Sequence, residues 1–224
     1  MSAHETGDRA AFLTRLRGRL AGGVPANLAH PLPPPSGATP VATSCRLDAD
    51  DLVGSFVRNA EAVRVVVHPV AGTAVPQTLV ADVVERHRVS NAVVSHEPEA
   101  AALVPALAGQ GVFVHQVSTA ASAGADLGVT GAVAAIATTG TLVQHSGAVG
   151  GRSASLLPPV HLCILPASRI VPGTAEVLRA LDDEALPSNV VLVTGPSRSG
   201  DIEQIIALGV HGPVTVEVAL LLDA

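Results

Sequence analysis

Short valine-rich runs recur along this chain, and a stretch with helical spacing separates most of them. Residues 63–68, 91–95, 112–115, 160–165, 189–194 and 214–222 read as strands. Residues 75–87, 97–108, 174–186 and 201–208 read as helices between them. The strand runs are continuous rather than alternating, as expected when helices cover both faces of a parallel sheet. The rhythm breaks once. Thr138-Thr139-Gly140-Thr141 links apolar runs at 132–137 and 142–146, which reads as a β-hairpin. The expected class is α/β: a mostly parallel sheet flanked by helices, with an inserted β-hairpin.

Composition then removes whole kinds of chemistry. The 13 basic residues are all arginine, so every lysine-dependent device is excluded: Schiff bases, pyridoxal phosphate anchoring and the phosphate-loop lysine. Without Trp or Tyr there are no stacking platforms for single-stranded nucleic acid, and a net charge of −6 opposes backbone binding. Two cysteines, Cys45 and Cys163, supply neither a four-thiolate cluster nor a disulfide framework, and they suit a reducing compartment. No secretory h-region and no run of 18 apolar residues is present, so the expectation is a cytoplasmic chain that does not span a membrane.

Asp8 opens a first helix with Phe12, Leu13, Leu16 and Leu20 on one stripe, and Pro25, Pro31, Pro33, Pro34, Pro35 and Pro40 follow. Such proline density gives an extended connector. Residues 1–42 therefore read as an arm and 43–224 as one domain. The stripe needs an outside surface, so Phe12, Leu13 and Leu16 are expected to dock on a partner protein or on a second copy, the latter giving a homo-oligomer.

Two loops could hold a small anion. Thr194-Gly195-Pro196-Ser197-Arg198-Ser199-Gly200-Asp201 lies between an expected strand and an expected helix. There Arg198 would grip a carboxylate or phosphate, Ser197 would assist, and Asp201 would cap the helix. Gly147 to Ser153 is a glycine-rich loop carrying Arg152. Neither loop matches G-x-G-x-x-G, and the first misses G-x-S-x-G by its last glycine. His68, His96 and His115 close expected strands without short ligand spacing, so no metal is assigned. His145, His161 and His211 stand near the loops as acid–base candidates. No catalytic residue and no cofactor is assigned.

Residues 126–166, DLGVTGAVAAIATTGTLVQHSGAVGGRSASLLPPVHLCILP, resemble the lactate-utilisation protein C family, whose module is the LUD domain. SRIVP at 168–172, TGPSRSGDIEQ at 194–204 and LGVHGP at 208–213 follow in that family's order. The resemblance implies a fold related to ribose-5-phosphate isomerase and the coenzyme A transferases, and a short form without a cysteine-rich extension. It implies a role in oxidising L-lactate to pyruvate beside iron–sulphur partner proteins. It places a pocket for a small anionic metabolite at Thr130, Thr139, Gly140, Thr141, Arg152, Ser197, Arg198 and Asp201. Thr138 stands where many members carry an acidic residue, so no base is assigned there. A transferase would need a nucleophilic glutamate, and Glu203 and Glu217 are the nearby candidates. The expected function is a non-redox subunit of a lactate-oxidising complex. A stand-alone enzyme on a small phosphorylated or carboxylated metabolite, or a pure assembly module, are the alternatives.

Overall fold

The computed structural model describes Thr14 and residues 47–145, 152–182, 189–200, 206–208 and 211–223; at 181–182, 198–200 and 206–208 only the backbone is described. The chain divides into two units, Met1–Thr43 and Ser44–Ala224, and every element below belongs to the second. Apart from Thr14, the expected arm lies outside the described residues.

Six strands form the main sheet: β1 (Val66–Val70), β2 (Asn91–Val94), β3 (Phe113–Gln116), β4 (Leu127–Gly131), β7 (Val160–Pro166) and β12 (Thr215–Leu221). Their order is β1-β12-β7-β4-β2-β3, and every pairing is parallel. A second sheet runs β8 (Ile170–Val171), β5 (Ala134–Ile136), β6 (Thr141–His145), β9 (Val190–Val193). The helices are α1 (Leu52–Ala62), α2 (Gln77–His87), α3 (Pro98–Ala101), α4 (Val104–Gly109), α5 (Thr119–Ala123), α6 (Ser153–Leu156) and α7 (Thr174–Asp182).

Alternate residues of the central strands feed two separate cores. Leu162, Ile164, Ala219 and Leu221 pack with Val80 and Val83 of α2 and Leu107 of α4. Cys163, Leu165, Val218 and Leu220 pack with Phe56 and Ala60 of α1 and with Ala135 and Leu142 of the second sheet. Both faces are buried, which is why the strand runs are continuously apolar. The α/β class and the hairpin β5–β6 are as the sequence indicates; four local expectations are not.

The expected strand at 189–194 does not continue the parallel sheet: β9 pairs antiparallel with β6. The helix expected over 201–208 is replaced, where the backbone is described, by β11 (Ile206–Leu208), antiparallel to β10 (Arg198–Gly200). Ile206 and its neighbours fit a pleated surface as readily as a helix, and the cross-strand partner decided the outcome. Residues 63–65 end a helix instead of opening a strand. Asp51 caps α1 by accepting from the Gly54 N–H at 2.7 Å, and Arg64 leaves that helix with φ of 68°. The single helix expected at 97–108 is two, α3 and α4, because Pro105 restarts the second in its first turn.

Candidate functional site

β2 leads on to β3 at one side of the sheet, whereas β4 leads on to β7 at the other. A crevice therefore opens between the carboxyl ends of β2 and β4, the usual ligand position in open α/β sheets. A recess lies there, with Ser95, Thr130, Gln144 and Ser155 as its floor and Glu97 and Arg152 at its rim. All four floor residues are buried, whereas Arg152 is exposed. The enclosed space is about 20 Å³, room for about one water-sized group.

Each floor residue is placed by a different element. Ser95 follows β2, and its N–H donates to Val129 of β4 at 2.9 Å. Ser155 and Arg152 come with α6, which lies hard against β4 because Gly128 has no side chain. A Cβ there would sit 1.8 Å from the Ala154 carbonyl oxygen. Thr130 Oγ1 is 2.8 Å from His161 Nε2, and the Gln144 amide donates to the same hydroxyl at 2.5 Å. Burial pushes the His161 imidazole down to about 4, so the ring is neutral at ordinary pH. Its Nδ1 finds no partner among the described residues. Burial pushes the neighbouring Cys163 thiol up to about 12.

Charge at the rim is divided. Glu97 accepts from Ser95 Oγ, and the next carboxylate along, Glu99, accepts from Arg169 Nη1. Arg152 has no carboxylate partner among the described residues.

The structure thus brings three of the sequence-derived residues, Thr130, Arg152 and the acid–base candidate His145, to one recess. Thr139, Gly140 and Thr141 form the turn at the other end of β6, packed on α1. Gly140 has φ of +64°, and a Cβ there would lie 2.2 Å from the Ala60 nitrogen. Thr141 Oγ1 bonds Thr139 Oγ1 at 2.6 Å and Thr194 Oγ1 at 2.8 Å. Ser197 is held by the segment before β12: its N–H donates to the Pro213 carbonyl, and its Oγ accepts from the His211 N–H. Arg198 lies in strand β10, opposite Leu208, and not in a strand-to-helix loop at the parallel sheet's edge. Asp201 lies outside the described residues. Ser95, Gln144 and Ser155 carry no local sequence signal, because the recess assembles from both sheets and α6.

A second polar cluster sits inside the sheet. Glu217 of β12 is fully buried and accepts from His68 Nε2 at 2.7 Å, His87 Nε2 at 2.5 Å and Arg86 Nη1 at 2.8 Å. Burial alone would raise its carboxyl, but the two imidazole bonds and the Arg86 charge outweigh that and hold it at about 2. A carboxylate so enclosed is no accessible nucleophile, which removes Glu217 as a transferase candidate; Glu203 lies outside the described residues. His68 stands in the middle of β1 and not at its end. Among the described residues no group of His, Cys, Asp and Glu is placed to hold a metal, and no helix is long and apolar enough to cross a membrane.

The family model described as LUD domain matches residues 53–221. A "Lactate utilization protein C" from Halalkalibacterium halodurans is 44% identical over 95 residues, covering 40% of this chain and 41% of that protein. One from an Exiguobacterium species is 44% identical over 104 residues, covering 44% and 45%. The matched segment thus spans about two fifths of the length of these curated relatives. The crystal structure of a DUF162 family protein from Deinococcus radiodurans superposes with a TM-score of 0.57 at 22% identity, covering 79% of this chain and 99% of that one. That likeness shows the fold.

Proposed function

Since the chain belongs to the LUD domain family, we propose that it serves lactate utilisation as a non-redox subunit of a lactate-oxidising complex. In this reading it holds a small carboxylate at Arg152. The relatives' names support the process. One observation carries the site: an exposed guanidinium without a carboxylate partner among the described residues, at the rim of a polar recess in the sheet's crevice. A guanidinium grips a carboxylate with two parallel N–H donors, which suits positioning and not electron transfer. With two cysteines, one of them buried Cys163, the chain fits a subunit whose electrons move through iron–sulphur partner proteins.

The test has two arms. Purification of the tagged full chain from its native cells should bring iron–sulphur proteins with it. Calorimetric titration should show binding of lactate or pyruvate that Arg152→Ala weakens about ten- to a hundredfold. Arg152→Lys should recover only part of that, since an ammonium lacks the planar fork. Purification of the chain alone, together with turnover of a phosphorylated or carboxylated metabolite by that chain, would favour a stand-alone enzyme instead. Titrations identical in wild type and Arg152→Ala would refute the site.

A further inference from the structure

We propose that strand β3 is a self-association edge: two copies of this chain pair β3 with β3, antiparallel about a two-fold axis centred on Val114, so that their main sheets join into one.

β3 ends the main sheet, and among the described residues only β2 pairs with it. The Phe113 N–H donates inward, to the Ser90 carbonyl at 2.9 Å. Alternate residues of a strand turn their backbone groups to opposite edges, so Val114 and Gln116 aim theirs outward. The other edge of the same sheet, β1, is blunted. There Val70 takes the inward slot, its carbonyl accepting from the Leu222 N–H, and the outward slot falls to Pro69, which has no N–H to offer. β3 carries no such guard. It contains no proline, and Phe113 stands 71% exposed on it.

Charge chooses the occupant. Residues 100–125 contain no Asp, Glu, Lys or Arg, although 14% of the chain is charged. At a two-fold axis each charge meets its own copy, so a face that pairs with itself has to be neutral. A strongly charged partner finds nothing here to pair with. The remainder of the chain carries the whole net charge of −6, which opposes contact between copies through other faces.

The register follows from the slots. Val114 exchanges two N–H···O bonds with its own counterpart, and each Gln116 N–H donates to the carbonyl of the opposite Val112. Positions between such bonds lie closest, about 4.5 Å between Cα atoms, and each sets Phe113 against the counterpart of His115. Both side chains are exposed in the single chain and stand on the face opposite Val114, which packs against the core below α4. Pairing covers each ring with the other. The exposed residues of α4, which packs on β3, are Pro105, Ala108 and Gly109, too short to hold the copies apart.

Sedimentation of the full chain over about a hundredfold range of concentration should pass from one 22.4 kDa chain to two. Phe113→Arg, which sets a cation against each His115, should stay single with unchanged circular dichroism, since that side chain is exposed. Cross-linking reads the register. In a Cys45→Ser background, oxidising a mixture of Phe113→Cys and His115→Cys chains should give a disulfide-linked pair that neither variant gives alone, because position 113 meets 115 and neither meets itself. A wild type that stays single would overturn the proposal. So would a Phe113→Arg variant that pairs like wild type, which would put the contact on another surface, or a variant that cross-links with itself as fast as in the mixture. A single wild type from which Phe113→Arg strips co-purifying proteins would give the edge to a different partner's strand, and overturn it equally.

Discussion

Glu217 makes the fold's stability depend on pH in a window where most surface carboxylates contribute little. Its carboxyl is held at about 2 against an ordinary value of 4.5, so the folded state prefers the ionised form. A depressed carboxyl stabilises the fold above its unfolded value, and that contribution is lost as pH falls from about 4.5 toward 2. The gap corresponds to about 3 kcal/mol at neutral pH, at about 1.4 kcal/mol per unit. At pH 5 nearly all of it remains, and at pH 3 only about 1.5 kcal/mol survives. Glu217→Gln keeps the shape but cannot ionise, so the stability difference between wild type and variant should shrink by about 1.5–2 kcal/mol from pH 5 to pH 3. Urea unfolding of both proteins across that range, below ordinary imidazole titration, isolates the effect. A difference that is the same at both ends would show that Glu217 is not held ionised by His68, His87 and Arg86.

Gly140→Ala should destabilise the fold by about 2–4 kcal/mol in thermal or urea unfolding, because a Cβ would drive into the α1 backbone at Ala60 and strain a positive φ. Asp51→Ala should cost about 1 kcal/mol by removing the α1 cap, read as a shifted urea midpoint. Arg58→Ala, which breaks the exposed 3.7 Å pair with Asp51 and the Nη2 hydrogen bond to Ser55 Oγ at 3.0 Å, should shift it less. In a Cys45→Ser background, Cys163 should resist alkylation at pH 8 until the protein is unfolded, since its thiol is buried and pushed up to about 12. Rapid labelling of the native chain would contradict that burial.

What the sequence discloses is where a run of residues has one structural solution. Residues 160–165 and 214–222 are continuously apolar because both sheet faces are covered, and they become β7 and β12. Residues 189–194 have the same composition yet pair antiparallel with β6 in the other sheet, since a valine run specifies a strand but not its neighbour. Helix α1 is not among the expected elements, although Asp51 caps a pattern of Leu52, Val53, Phe56, Val57 and Ala60 at helical spacing. At 201–208 the apolar spacing admits either a helix or the strand β11, and tertiary pairing chose. The recess is the least legible feature. Thr130, Gln144 and His161 lie on three strands belonging to two sheets, and Ser95 follows a fourth. Arg152 could be reached beforehand from its glycine-rich loop, His145 and His161 as acid–base candidates beside the loops, and Thr130 only through the family resemblance.

Arginine has to do all the cationic work in a chain without lysine, and the arrangement divides that work sharply. Arg86 holds Glu217 and Asp82, Arg169 holds Glu99, Arg58 faces Asp51 and Arg179 faces Glu176. Arg64 and Arg88 have no carboxylate partner among the described residues, but each sits in the left-handed conformation where α1 and α2 end, and positive charge suits a helix C-terminus. Arg152 has neither compensation among the described residues. It stands at the opening residue of α6 beside a recess, exposed to solvent. Structural and ligand-directed arginines should therefore separate on two axes. Arg86→Ala would leave one of the donors to a buried carboxylate missing and lower stability. Arg152→Ala would remove a side chain that nothing in the described fold leans on, so its unfolding midpoint should stay put while carboxylate binding falls. A loss of stability equal to that of Arg86→Ala would mean that Arg152 belongs to the fold, and that the recess is packing.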